Sequence, residues 1–269
     1  MNTQAELTDR EAVLVEDAGW TRVMGQRILE ALPSPTVPYA QTDPFILVHE
    51  GRVRLSELAK IDSKHRHRGF DNLLYVLEGS MSTGHSTGPN GAMERARLSP
   101  GALLALRTGR GVWHADAIGG NEPEADAEFR GVVLWVNLAR HDKQLEPSAQ
   151  VLEPSEIPTR QEGDATTRVL VGEGSPIRLG TPAIVLDVEL PSGGATSTPV
   201  PREFQGFAYM LEGEAAFGPS RLRARSSQLV LLGPGDEVEV TDASPGTRYV
   251  LMAGKPYGEA PVFNGPFVD

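Results

Sequence analysis

Two short blocks of this chain nearly repeat one another: residues 75–79 read YVLEG and residues 209–213 read YMLEG, with 209 − 75 = 134 between them. A Pro-Gly pair returns at the same offset, Pro100-Gly101 and Pro234-Gly235, 234 − 100 = 134. Two anchors at one spacing indicate an internal duplication of a single folding unit. The 269 residues suffice for two such units of about 100–150 residues each, with 39% hydrophobic residues to fill their cores.

The texture of each half is all-β. Short apolar runs bounded by turn residues predict strands at 45–48, 52–58, 72–77, 103–106 and 131–138 in the first half. The second half predicts them at 167–171, 183–190, 207–211, 228–232, 237–241 and 249–253. The 29 Gly and 21 Pro fall in scattered clusters, which suits many turns and argues against long helices. A β-sandwich or barrel in each half follows. The first forty residues are polar and broken by Pro33, Pro35 and Pro38, leaving room for a short helix near 26–32. Residues 141–164 carry no sustained apolar period. The expected division is therefore 1–145, a connection at 146–165, and 166–269.

Two dipeptide-spaced pairs carry the chemistry. Side chains alternate between the faces of a strand, so in Lys64-His65-Arg66-His67-Arg68 the two imidazoles share one face and the cations the other. His114-Ala115-Asp116 is a second such pair. Facing each other across a small barrel, they bring three imidazoles and a carboxylate together. That set suits a borderline divalent metal and leaves open positions, as in an octahedral iron site. A lone His-x-His is more often a packed or solvated pair than a ligand pair. Here three of the six His fall in the two motifs, and adding 134 to each position gives Pro199, Pro201, Arg248 and Val250, with no His after His141. One half has all four donors and the other none, so the N-terminal half is expected to hold one metal and the C-terminal half none. His85 reads as part of a turn-rich hairpin, His49 as a strand end and His141 as the start of the connection, all structural or exposed. Asp187 and Glu189 read as a solvated strand face, and Gly172-Glu173-Gly174 lacks the context of a phosphate loop.

A net charge of −11 disfavours direct contact with nucleic-acid phosphate or anionic lipid. Without Cys there is no disulfide or thiolate chemistry. No apolar run reaches the roughly 18–20 residues of a membrane span, and residues 1–19 lack a signal pattern. A cytoplasmic protein, monomeric or weakly dimeric, is expected.

At the same residues the sequence resembles the pirin family of bicupins. HRHRGFDNLLYVLEG (65–79), LSPGALLALRTGRGVWHAD (98–116) and GVVLWVNLARHDKQLEPSAQ (131–150) carry the resemblance, with DPFILVHE (43–50), RVLVGE (168–173) and NGPFV (264–268). It implies two tandem cupin domains, each a jelly-roll β-barrel, with iron in the first and none in the second; manganese, nickel, copper and zinc are the alternatives. For some members it implies oxygen-dependent ring cleavage of flavonols such as quercetin, and for others regulation through a protein partner. The ligand set carries over to His65, His67 and His114, while Asp116 stands where the family has Glu. Asp71 likewise replaces a Glu, and Arg66 replaces a Pro. The enzymatic reading takes O2 and a flavonol or related small phenolic or enolic substrate whose hydroxyl proton passes to Asp116, with Asn72 behind the ligands. The alternative is a metal- or redox-sensing binding protein.

Overall fold

The computed structural model describes residues 7–58, 63–116 and 128–269, and these are all-β apart from single helical turns. Each half pairs a seven-stranded antiparallel sheet with a four-stranded one. The first large sheet runs Ser148–Leu152, Leu103–Arg107, Phe70–Glu78, Glu128–Asn137, Phe45–Arg54, Gln26–Leu32, Gly19–Val23. Opposite it lies the sheet His65–His67, Val112–Asp116, Met81–His85, Glu94–Leu98. The second half repeats this order. Its large sheet is Ala12–Asp17, Gln228–Leu232, Gln205–Glu212, Thr247–Gly254, Ala183–Leu190, Ala165–Val171, Thr159–Glu162. Its small sheet is Gly194–Pro199, Glu237–Ala243, Glu214–Phe217, Leu222–Arg225. Among the described residues no helix is long and apolar enough to cross a membrane.

Several expectations need correction. Residues 26–32 form a strand, because Ile28, Ala31 and Leu32 bury against the sheet, which a helix could not supply with edge hydrogen bonds. One strand covers Phe45–Arg54, and 55–58 is a helical turn. The halves also exchange edges. Ala12–Asp17 pairs with Gln228–Leu232 in the second half's sheet, and Ser148–Leu152 pairs with Leu103–Arg107 in the first. A linear division at 145 and 166 therefore does not follow the sheets. Arg10 fixes the first exchange: its buried guanidinium donates to the carbonyls of Gly233 (3.2 Å) and Pro201 (2.7 Å).

The second repeat anchor is also displaced. Pro100-Gly101 precedes Leu103–Arg107, whereas Pro234-Gly235 follows the equivalent strand Gln228–Leu232. By sheet order the counterpart of Val112–Asp116 is Glu237–Ala243, and residues 248 and 250 lie on the counterpart of Glu128–Asn137. The duplication stands on the tyrosine block and on the identical strand order.

The two large sheets pack face to face, and their shared apolar core draws on both halves, with Leu73, Leu134, Phe207 and Met252 among its members. Phe45 and Phe207 meet edge to face at 5.4 Å. Two buried polar locks cross this layer, each built on a repeat-block tyrosine. The Tyr75 hydroxyl donates to Asp187 Oδ2 at 2.7 Å, and Arg248 grips the same carboxylate with two bonds of 2.8 Å. In the mirror arrangement Tyr209 donates to Glu50 Oε2 at 2.8 Å while Arg130 Nε donates to Oε1 at 2.7 Å. Burial, then the adjacent carboxylate, pushes both phenols up, so each remains a donor. Asp187, expected on a solvated face, is fully buried because two arginines and a phenol replace its water.

A third contact joins the halves at Asp71, whose Oδ2 accepts the Gly180 N–H at 2.6 Å. A Cβ on Gly180 would lie 2.3 Å from Leu138 Cδ2, so a larger residue there requires the Leu138 side chain to move.

Tyr75→Phe and Tyr209→Phe should each lower the unfolding free energy by about 1–3 kcal/mol. Asp187→Ala should cost about 2–4 kcal/mol, because it leaves the buried Tyr75 hydroxyl and the half-buried guanidiniums of Arg168 and Arg248 without their carboxylate. Urea denaturation reads both, and unchanged midpoints would show that the locks carry no stability. Burial pushes the Asp71 carboxyl up to about 6 against the opposing pull of Gly180 and Arg107. Its stabilising contribution is thus present below about pH 4 and lost as pH rises through about 6. Relative to Asp71→Asn, the metal-free protein should lose roughly 2–3 kcal/mol between those limits. Parallel stability curves for the two proteins would refute this.

Candidate metal centre

The strand His65–His67 lies antiparallel to Val112–Asp116, with His65 opposite His114, Arg66 opposite Trp113 and His67 opposite Val112. Directly opposed residues share a face. The period of two therefore turns His65, His67, His114 and Asp116 into the barrel and leaves Arg66 and Trp113 outside. Trp113 is 41% exposed, with the Lys64 ammonium 5.0 Å and the Arg66 guanidinium 5.4 Å from its ring. The ladder is held at its end by the C-terminal residues. Val268 N–H donates to the Arg68 carbonyl (2.9 Å), and Gly69 (φ 91°) has its backbone so close that a Cβ would lie 1.9 Å from the Val268 oxygen. Lys143 ties Gly69, Asn137 and Val268 together through its ammonium.

Within the barrel the three imidazole rings are mutual neighbours. Their centroids lie 4.4 Å (His65–His67), 5.5 Å (His65–His114) and 5.6 Å (His67–His114) apart. His67 also stands edge-on to Phe70 (5.3 Å) and Trp135 (5.2 Å), which stack on each other at 4.1 Å. The His65 and His67 Nε2 atoms are 2.7 Å apart, and His114 Nε2 is 3.0 Å from Asp116 Oδ1. The donors are held pairwise. Among the described residues no three His, Cys, Asp or Glu groups are already spaced as a formed cation site.

The residues nevertheless fit a divalent ion. His65 Nδ1 is 2.5 Å from the Ser63 carbonyl, the contact that places its proton on Nδ1 and leaves Nε2 with a lone pair for a ligand. Burial first, then the neighbouring His65 and His114, pushes His67 down to about 3, so its imidazole is neutral. Two Nε2 atoms this close share either an N–H···N hydrogen bond or a metal between them. The His114–Asp116 approach is electrostatic rather than a directed hydrogen bond, and Asp116 Oδ1 and the His67 and His114 Nδ1 atoms are buried without a hydrogen-bond partner. Burial opposes a charge on either group. Their mutual attraction exceeds it, raising His114 and lowering Asp116, so the carboxylate is ionised and ready to bind. Asp116 keeps 29% of its side chain exposed.

Asn72 is buried on the strand of Phe70, two residues on and hence on the same face, and its Oδ1 has no hydrogen-bond partner. No contact with the four ligands fixes it there. His141 is 79% exposed. His85 differs from expectation. It is buried on Met81–His85 directly opposite His114, with Nδ1 2.8 Å from Thr87 Oγ1, because the turn begins only after it. His49 also differs. It sits within the strand Phe45–Arg54, its Nε2 2.8 Å from Glu30 Oε2, and it lines a cavity of about 130 Å³ together with Asp116. The signal was available: His49, Gly51 and Val53 alternate into the same face, but the pairing with Glu30 arises only from strand register.

The second half offers no comparable set. Pro199 pairs with Glu237 as His65 pairs with His114, and Glu237 accepts from Ser197 Oγ at 2.6 Å. Its barrel has a larger cavity of about 630 Å³, walled by Pro199, Pro201, Val169, Leu186 and Phe204.

Comparison with known proteins agrees with this architecture. Residues 26–136 match the family model for pirin, and residues 185–269 match that for the pirin C-terminal cupin domain. Pirin of Rattus norvegicus is 33% identical over 253 residues, covering 91% of this chain and 82% of the relative. Among solved structures, a quercetin 2,3-dioxygenase from Acinetobacter baumannii superposes with a TM-score of 0.83 at 22% identity, covering 97% of this chain and 92% of that one. The bacterial pirin YhhW from Escherichia coli, in complex with nickel(II), superposes with a TM-score of 0.67 at 12% identity, covering 90% and 99%. At those identities the two structures show the fold alone. Two cupin barrels in tandem, family matches in both halves and a relative aligned over most of its length make this chain a member of the pirin family.

Proposed function

We propose that the chain is a metal-dependent oxidoreductase of the quercetin 2,3-dioxygenase type, using O2 on a flavonol or related phenolic or enolic small molecule. The observation that carries this reading is the convergence of three imidazoles and one carboxylate on the inner face of a barrel, with the carboxylate opening into an apolar cavity. His65, His67, His114 and Asp116 would hold one divalent ion, iron(II) first among the candidates, with manganese, nickel, copper and zinc as alternatives. When bound, that ion supplies Lewis acidity toward a substrate hydroxyl and redox access to O2. The A. baumannii structure of the same fold is named for that activity, and the E. coli pirin structure holds nickel(II).

The chain's own residues then divide the work. His67, wedged against Phe70 and Trp135, stays neutral and fixed, and the Ser63 carbonyl orients His65. Asp116 retains solvent exposure and borders the cavity, so it takes the proton from the substrate hydroxyl. Asn72, buried on the same strand face as Phe70, which packs on His67, has an unpartnered amide oxygen that would accept a ligand N–H. The apolar walls Leu74, Phe129 and Val133 keep bulk water from the activated ring.

A second reading has one observation in its favour. The reverse face of the ligand strands presents Trp113 flanked by Lys64 and Arg66, an aromatic-basic surface suited to an acidic protein partner. In that reading the metal sets the shape or charge of this surface, and no substrate is turned over. Oxygen uptake by the iron-loaded protein with quercetin and smaller phenolics separates the two, since the binding protein consumes none.

His65→Ala, His67→Ala and His114→Ala should each lose metal affinity by more than the roughly 10–100-fold typical of removing an outer partner. His141→Ala should retain full occupancy. Elemental analysis reads this directly, and equal metal in all four variants would defeat the site. Asp116→Glu should keep its metal but slow oxygen uptake by about ten-fold or more, since the longer arm takes the base away from the substrate proton. Unchanged uptake would reassign Asp116 as a ligand alone.

A further inference from the structure

The cavity beside Asp116 narrows the substrate class. Ile28, Val53, Leu74, Met81, Phe129 and Val133 form its apolar walls, and its polar groups include Asp116 and His49. Its volume of about 130 Å³ is close to the cavity of about 150 Å³ known to take up one benzene ring, and well below the roughly 300–1,000 Å³ of sites for drug-sized ligands. The hairpin joining Gly19–Val23 to Gln26–Leu32 brings Val23 and Met24 to the same cavity, so the edge of the large sheet closes one side of it.

The polar side chains at the cavity are Asp116, Gln26 and His49, and of these His49 is held in place by a carboxylate. Glu30 holds Nε2 at 2.8 Å, and that contact leaves Nδ1 as the acceptor. Among the described residues the His49 side chain has no other hydrogen-bond partner. Glu30 and His49 are opposite one another across the ladder and share a face, so Glu30 anchors the imidazole at the edge of the cavity that it lines.

We infer that this pocket selects a single six-membered ring bearing two oxygen substituents, such as an ortho-diphenol or cyclic enol, and excludes the three-ring flavonol scaffold. One substituent meets the Asp116 end and the other is positioned by His49. The inference rests on the reading of Asp116 as a group at the metal centre.

Gly51 provides the means to test it. Its φ is not in the left-handed region, and an added Cβ would meet only Ile28 Cγ2, at 3.7 Å, so Gly51→Ala and Gly51→Val fill the pocket without a backbone clash. The zinc-loaded full chain, which is redox-silent, is titrated calorimetrically with catechol and with quercetin, and metal content and melting temperature are measured on the same samples. Wild type should bind catechol at least about ten-fold more tightly than quercetin. Gly51→Val should weaken catechol, with Gly51→Ala intermediate, and Ile28→Ala should narrow the gap by admitting quercetin. His49→Phe, which keeps a ring in place, should weaken catechol about ten-fold with metal content and melting temperature unchanged. Zinc-replete protein that binds quercetin as tightly as catechol overturns the size selection and leaves the proposed activity standing. Zinc-replete protein that ignores catechol, or a His49→Phe variant that binds it normally, also overturns the inference. Protein that takes up no zinc overturns the metal site and the inference together.

Discussion

Two large sheets, each twisted and each apolar on one face, have to cover one another, and in this chain they do so across the boundary between the halves. The shared layer includes side chains such as Leu73, Leu134, Phe207 and Met252 from both units. Burial of that area supplies the driving force, but apolar contact alone does not set register. The two tyrosine–carboxylate locks do. The Tyr75 hydroxyl donates to Asp187 and the Tyr209 hydroxyl to Glu50, and sliding one sheet over the other would leave a carboxylate and an arginine buried without partners. The repeat block from which the duplication is recognised is thus also the device that joins the copies.

With the large sheets committed to each other, the small sheets are pushed to the outer ends. The strands His65–His67 and Val112–Asp116 belong to such a sheet. Their inner face looks into a barrel rather than into the interface, and their outer face meets solvent. That placement lets one segment carry alternate imidazoles and cations without conflict. The buried nitrogens are neutral or neutralised, and Lys64 and Arg66 lie over the exposed Trp113.

The duplication has been used asymmetrically. Both barrels keep the same strand order and both contain a cavity, but the second has Pro199 and Pro201 where the first has its leading imidazoles. Proline cannot ligate a metal, and it offers no N–H to the ladder. The imidazole set is confined to one copy, and the other contributes the opposing sheet, the buried carboxylate for Tyr75 and the segment that pins Gly69.

The sequence by itself determined the parts of this protein that depend on local spacing. An HRHR run and an HAD run fix which side chains share a face, since alternation is a property of any extended strand. YVLEG and YMLEG announce the duplication, and the quoted blocks identify the family. What depends on partners far along the chain was decided only by tertiary structure. Residues 12–17 and 148–152 become edges of sheets on either side of the expected linker, because edge hydrogen bonds are satisfied by whichever strand comes near. Asp187 is buried rather than solvated, because Tyr75 and Arg248 arrive from 112 and 61 residues away. His49 joins Asp116 at one cavity through register with Glu30. A period of two in the sequence tells which way a side chain points; only the pairing of strands tells what it meets there.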